Sequence, residues 1–77
     1  MKKIEILGPG CAKCEKLRER TDAAASQIGL DCKITKVSDM QQILSYGVVM
    51  TPALVVDGVV KVTGRVPSDD ELKEMLS

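Results

Sequence analysis

The chain has 77 residues, 44% apolar and 29% charged, and its 11 basic and 11 acidic side chains give a formal net charge of zero. A chain of this length forms one small domain, and zero net charge provides no field that would attract nucleic acid or an anionic membrane surface. Tyr46 is the sole aromatic residue, so the sequence offers no platform for stacked bases either. Nucleic acid is therefore not an expected partner.

The sequence contains no stretch that is apolar for long enough to be a secretory signal or a membrane helix. The first apolar run, residues 4–7, is interrupted by Glu5 and followed by Gly8-Pro9-Gly10. A signal needs an apolar run of about 7–15 residues and a membrane helix about 18 or more. We therefore expect a cytoplasmic protein without a membrane partner. In that compartment, an odd number of cysteines does not build a structural disulfide framework.

The first two predicted elements are a strand and a long helix. Residues 4–7 form the apolar run of a short buried strand, which the Gly8-Pro9-Gly10 turn ends. Residues 11–28 follow with the periodicity of an amphipathic helix, whose apolar stripe extends to Ile28. Gly29 then stands where a glycine commonly ends a helix.

A second strand and a short helix come next. Residues 31–37 alternate between apolar and polar side chains, which predicts a half-buried or edge strand. Ser38 and Gln41 fit a capping box at the start of a helix that Gly47 ends. Met40, on this helix, is expected to fill the core.

The last part of the chain predicts a hairpin and a final helix. Residues 53–56 and 59–62 are valine-rich runs joined by Asp57-Gly58, the strongest short-range signal of a hairpin. Ser68 and Glu71 form a second capping box, which opens a helix with its apolar residues facing inward.

The resulting element order is β-α-β-α-β-β-α, an α/β fold. The βαβ unit predicts a parallel strand pair and the hairpin adds two antiparallel strands. We therefore expect a four-stranded mixed sheet with helices on both faces, in which the first strand is central and pairs with the second and third. Residues 1–77 are expected to form a single domain.

The motif that carries chemistry is Cys11-Ala12-Lys13-Cys14, directly after the first strand. Two thiols at this spacing can form a disulfide, bind a metal or fill a core. Cys11 would lie at the helix N-terminus, where the free amides and the helix dipole stabilise a thiolate, and Lys13 adds a positive charge. CxxC thiols in such settings have pKa values of about 3.5–7.5 instead of about 8.5. Cys11 is thus the predicted nucleophile and Cys14 the resolving thiol.

A small metal-binding domain of the copper-chaperone kind is the alternative, since a CxxC pair can hold Cu(I). Those domains carry a Met two residues before the first cysteine and end on a strand, whereas this chain has Pro9 there and ends on a predicted helix. A zinc site lacks ligands, because the chain has no histidine. We expect no metal and no cofactor. Cys32 is expected to be a buried or half-buried thiol and not a third redox partner.

The strand, the CxxC motif at a helix start, Thr51-Pro52 before the hairpin and Gly64 after the fourth strand together resemble the thioredoxin–glutaredoxin superfamily. The similarity is greatest to the glutaredoxin-sized thioredoxin-like "redox-active disulfide" proteins of archaea and bacteria, and it covers residues 3–76. It implies a thiol–disulfide oxidoreductase that carries electrons through a reversible Cys11–Cys14 disulfide. Disulfide-containing proteins are the implied substrates, and a reductase of the thioredoxin-reductase type or a similar protein is the implied electron donor. A monomer is expected.

The resemblance also implies how a substrate binds and how the thiols are tuned. In the family the bond that matches Thr51–Pro52 is cis, and it places the backbone of Thr51 beside the CxxC motif, where an extended partner segment can pair with it. Gly64 belongs to the same substrate-binding group. From the residues alone, a trans proline that opens an edge strand is the alternative. Ala12 and Lys13 replace the Gly-Pro or Pro-Tyr of many members and are expected to tune the thiols.

Glu5 is a further candidate. It lies six residues before Cys11, where many thioredoxins carry a buried acid. A carboxylate there would accept the proton of Cys14, through water, as that thiol attacks. The alternatives are a solvated carboxylate or an ion pair with Lys3 or Lys61.

Overall fold

A computed structural model of the chain describes residues 2–10 and 12–77. The elements of these residues follow the predicted order β-α-β-α-β-β-α, which confirms the expected fold class. The strands are β1 (Lys2–Leu7), β2 (Cys32–Val37), β3 (Ala53–Val56) and β4 (Val59–Thr63), and the helices are α1 (Ala12–Gln27), α2 (Met40–Ser45) and α3 (Asp69–Leu76).

The four strands form one mixed sheet in the order β2-β1-β3-β4. β1 is internal, parallel to β2 and antiparallel to β3, as predicted. The hairpin between β3 and β4 turns at Asp57 and Gly58, whose φ angles of 50° and 83° are both positive. Positive φ at both turn positions is the requirement of a type I′ turn, which explains why Asp-Gly is found there.

Helices cover both faces of the sheet. Side chains of β1 point alternately to the two sides, so this strand contributes to an apolar cluster on each face. Ile4 and Ile6 belong to a buried apolar cluster with Leu17 of α1 and with residues of α3. Leu7 belongs to a second cluster with Ile43 of α2. The sheet therefore separates α1 and α3 from α2.

Three local expectations were wrong. α1 ends at Gln27, and Ile28 lies beyond it with 39% of its surface exposed, so the buried stripe stops one turn earlier than predicted. The N-cap of α2 is Asp39 and not Ser38, because the Asp39 side chain accepts a hydrogen bond from the backbone N–H of Gln41. Met40 is 54% exposed instead of filling the core.

The second predicted capping box is confirmed. The Ser68 side chain accepts a hydrogen bond from the backbone N–H of Glu71, and the Glu71 carboxylate accepts one from the backbone N–H of Ser68. α3 then buries Leu72 and Leu76 against α1 and the sheet. Among the helices of the described residues, none is both long and apolar enough to span a membrane.

Thr21 provides a test of the packing of α1. Its side chain is fully buried, and its hydroxyl has no hydrogen-bond partner among the described residues. Because burying an unpartnered hydroxyl costs about 1–3 kcal/mol, we expect Thr21→Val to raise the free energy of unfolding by about 1 kcal/mol in urea denaturation. Thr21→Ser, which keeps the hydroxyl and loses the methyl group, should be less stable than the wild type. A less stable Thr21→Val variant would contradict this account.

Candidate active site

Ala12, Lys13 and Cys14 of the CxxC motif are the first three residues of α1. Cys11, the predicted nucleophile, lies outside the described residues. Cys14 is the third residue of α1, and only 1% of its surface is exposed. Its thiol is therefore shielded from solvent.

Gly8 brings Cys14 and Thr51 together. Gly8 is buried directly after β1, and its backbone N–H donates to the carbonyl of Val37 at 2.9 Å. A Cβ atom built on Gly8 would overlap the Sγ of Cys14 and would lie 3.7 Å from the Cβ of Thr51. The absence of a side chain at Gly8 thus makes room for the Cys14 sulfur beside Thr51.

The Thr51–Pro52 peptide bond is cis, as the resemblance implies. Pro52 is buried, and its carbonyl accepts a hydrogen bond of 2.8 Å from the backbone N–H of Gly64. Gly64 has a φ of 76°, and a Cβ atom on it would lie 3.1 Å from the Cε of Met50. The structure therefore brings Gly64 and the Thr51–Pro52 pair together.

An apolar surface lies directly before Thr51. Val49 is 87% exposed and Met50 is 60% exposed. Met50 also lies against Gly64, so it flanks the site. Exposed apolar residues beside a reactive centre are typical of a surface that contacts a partner.

Glu5 of β1 is buried and paired with Tyr46. Only 8% of Glu5 is exposed, and the Tyr46 hydroxyl donates to its carboxylate, with the oxygen 2.8 Å from each carboxylate oxygen. By strand alternation Glu5 shares the face of Leu7, which is the α2 side of the sheet, whereas α1 packs on the other side. The partner of Glu5 is thus Tyr46, which neither the catalytic interpretation nor its alternatives had included.

The hydrogen bond to Glu5, followed by burial, raises the pKa of Tyr46 above its ordinary value. The phenol therefore remains a donor at neutral pH. Tyr46→Phe removes this hydroxyl and leaves the buried carboxylate of Glu5 without its hydrogen-bond donor. We therefore expect the free energy of unfolding to fall by about 1.5–3 kcal/mol. Chemical denaturation measures the loss. In a Glu5→Gln background, Tyr46→Phe should lower the free energy of unfolding by less than in the wild type. An equal loss in both backgrounds would contradict the hydrogen bond between Tyr46 and Glu5.

Cys32 is half-buried, as expected, and it lies far from the CxxC motif along the sheet. It pairs with Lys2 at the start of β1, whereas Gly8 follows the other end of that strand. Six residues of strand span about 20 Å at about 3.3 Å each. This separation supports a packing role for Cys32.

Residues 2–10 and 12–77 contain no group of three or more His, Cys, Asp or Glu side chains that could hold a metal ion.

Sequence reasoning missed two features of the site. It treated Gly8 only as a turn residue, although a glycine between a strand and a CxxC helix is a signal of close approach. It also missed that Lys13, Lys16 and Arg20 lie at i, i+3 and i+7, which places three cations on one face of α1. The contact of Gly8 depends on how α1 packs beside the loop after α2, whereas the three cations follow from helix periodicity alone.

Comparisons with known proteins decide the family. A family model described as "Thioredoxin domain" matches residues 2–77. The chain belongs to the thioredoxin family. A "Thioredoxin" of Methanothermobacter thermautotrophicus is 43% identical over 77 residues, which is 100% of both chains. A "Thioredoxin" of Methanocaldococcus jannaschii is 38% identical over 73 residues, which is 95% of this chain and 84% of that one. A "Probable Thioredoxin" of Methanothermobacter marburgensis is 32% identical over 79 residues.

The family assignment supports the function predicted from the CxxC motif: the chain is a thiol–disulfide oxidoreductase of the thioredoxin type. None of these relatives favours the copper-chaperone alternative, because each is named as a thioredoxin or a probable thioredoxin.

Proposed function

We propose that this protein is a small dithiol carrier that reduces disulfides or oxidises dithiols of partner proteins through a reversible Cys11–Cys14 disulfide. The observation that carries the proposal is the position of the Cys14 sulfur, which is shielded against Gly8 and beside Thr51. A shielded second thiol reacts with a neighbouring sulfur in preference to solutes. In this proposal residues 1–77 act as one domain, without a cofactor.

The reaction in the reducing direction consists of two exchanges. The Cys11 thiolate attacks one sulfur of the partner disulfide, which breaks that bond, forms a mixed disulfide and releases the other partner sulfur as a thiolate. Cys14 then loses its proton and attacks the Cys11 sulfur, which releases the second partner thiolate and closes the Cys11–Cys14 disulfide. Two electrons pass to the partner, whose two thiolates take up two protons.

The loop around Pro52 provides the partner-binding surface in this proposal. Thr51 is half-buried beside Cys14, so its backbone can pair with an extended segment that carries the partner cysteine. Val49 and Met50 add exposed apolar contacts on the same side. The named relatives are thioredoxins, which supports disulfide-containing proteins as substrates and a reductase of the thioredoxin-reductase type as electron donor.

The proton-acceptor role considered above would require Glu5 to act from the α2 side of the sheet, where Tyr46 holds its carboxylate. We propose that Glu5 instead anchors the end of α2 to β1. Glu5→Gln is therefore expected to leave the pH dependence of the exchange rate unchanged. Stopped-flow measurements between pH 5 and pH 9 test this. A displaced pH profile in Glu5→Gln, without a matching loss of stability, would restore the catalytic role.

The proposed function is tested by reduction of a protein disulfide with dithiothreitol as the terminal donor. The wild type should accelerate the reaction, and Cys11→Ser should not. Cys32→Ser is the matched control, since it removes the same atom from a thiol far from the site, and it should retain the wild-type rate. Activity that persists in Cys11→Ser, or that is lost in Cys32→Ser, would overturn the assignment.

A further inference from the structure

A cleft of about 320 Å³ lies beside the CxxC motif, and the mechanism above does not use it. Its lining consists of Lys13, Lys16, Arg20, Gly64, Arg65 and Val66. Four of these six residues are cationic, and none is acidic. Because the chain as a whole has a formal net charge of zero, this positive charge is a local feature of the cleft.

The cleft adjoins both parts of the proposed active site. On one side, Lys13 lies within the CxxC motif and precedes Cys14 directly. On the other side, Gly64 donates a hydrogen bond to the carbonyl of Pro52. A segment that pairs with Thr51 while its cysteine reacts would therefore pass close to the cleft.

Two of the four cations already have partners that hold them in position. Arg65 pairs with Glu71, with 2.7 Å between Nη2 and Oε2, and Arg20 donates to the carbonyl of Pro67 at 3.2 Å. The Arg65 hydrogen bond, together with one from the Ser68 backbone, lowers the pKa of Glu71 to about 2, so Glu71 is ionised at neutral pH and offsets the charge of Arg65. The guanidinium of Arg20 contacts a carbonyl, which leaves its charge uncompensated.

Lys13 and Lys16 are both exposed, and neither forms an ion pair within the part of the chain that the structure describes. They lie three positions apart and Arg20 lies four positions further, so all three project from one face of α1. Three cationic groups thus face a cleft without an acidic side chain. An anionic ligand would supply the missing charge.

We propose that this cleft binds an acidic segment of the partner protein, with carboxylate side chains adjacent to the cysteine that reacts with Cys11. The proposal rests on the proposed function and specifies its substrates. The volume of the cleft suits one or two side chains and not a whole domain. Charge complementarity of this kind raises association rates and suppresses partners of the wrong charge, and it weakens as salt is added.

The test uses disulfide-bonded peptides that are identical except for the two residues next to the cysteine, which are Glu-Glu, Gln-Gln or Lys-Lys. At low salt, kcat/KM of the wild type should be about tenfold higher for the Glu-Glu peptide than for the Lys-Lys peptide. Lys16→Gln should reduce this ratio to about threefold. Lys33→Gln is the matched control, because it removes the same charge from an exposed position on β2, at the far edge of the sheet from β4.

The outcomes separate this inference from the proposed function. Equal rates for the three peptides in the wild type, or an equal loss of preference in Lys33→Gln and Lys16→Gln, would overturn the acidic-segment site while leaving disulfide exchange intact. No reduction of any peptide would overturn both. Free glutarate that competes as well as the Glu-Glu peptide would show a site for small carboxylates, which contradicts recognition of a partner segment.

Discussion

Gly8→Ala is expected to slow disulfide exchange about 100-fold, the loss that follows when a reacting group is misplaced by about 1 Å. A Cβ atom at this position would overlap the Sγ of Cys14, so one of the two must move. Thr51 borders the same space, because its Cβ would lie 3.7 Å from the added Cβ atom. The rate of reduction of a protein disulfide measures the effect.

A double-mutant cycle separates this steric cause from a backbone effect. Gly8, unlike Gly10 and Gly64, has no positive φ, so alanine itself is compatible with its backbone. In a Cys14→Ala background the overlapping sulfur is absent, and Gly8→Ala should then cost much less free energy of unfolding than in the wild type. An equal loss of free energy of unfolding in both backgrounds would contradict the steric account. A Gly8→Ala variant that reduces the protein disulfide at the wild-type rate would contradict it as well, since the Cys14 sulfur would then not need the space beside Gly8.

Cys14→Ser is the second substitution with a large expected effect. The variant should still form a mixed disulfide through Cys11 but should not release it, because the hydroxyl cannot displace the partner. We expect turnover to fall by at least about 100-fold and one partner molecule to remain bound per chain, which mass spectrometry under non-reducing conditions detects. The trapped species should disappear when dithiothreitol is added.

The control for this experiment is Cys32→Ser, which should turn over normally and trap no partner. Release of the partner by Cys14→Ser in the absence of dithiothreitol would contradict a resolving role for Cys14. A trapped partner attached to Cys32 would instead show that the third cysteine takes part in the exchange.

Local signals in the sequence predicted most of the fold. Asp57-Gly58 between two valine-rich runs predicted the hairpin, and Ser68 with Glu71 predicted the start of α3, because each signal acts within a few residues. The start of α2 was harder to predict, because Ser38 and Asp39 are adjacent and both residue types can cap a helix. With the N-cap at Asp39, Met40 is the first residue of α2 and is exposed, whereas Ile43 one turn later is buried.

The site was predictable only in part. The CxxC motif and Thr51-Pro52 are visible as motifs, and their meaning follows from the family. The contact of Gly8 with Cys14 and the hydrogen bond between Tyr46 and Glu5 join residues that no periodicity relates, the latter across 41 positions. Such contacts depend on how α1 and α2 pack on the sheet, so they become apparent only in the folded structure.

The proposed function requires Cys11 and Cys14 to form one reversible redox couple. The most direct measurement is mass-resolved thiol trapping across a dithiothreitol gradient, with metal ions excluded. The account predicts a single two-electron transition in which these two cysteines change together, while Cys32 remains a thiol throughout. It would be contradicted if the pair stayed unlinked in oxidising buffer, or if a bound metal had to be removed before the two thiols reacted.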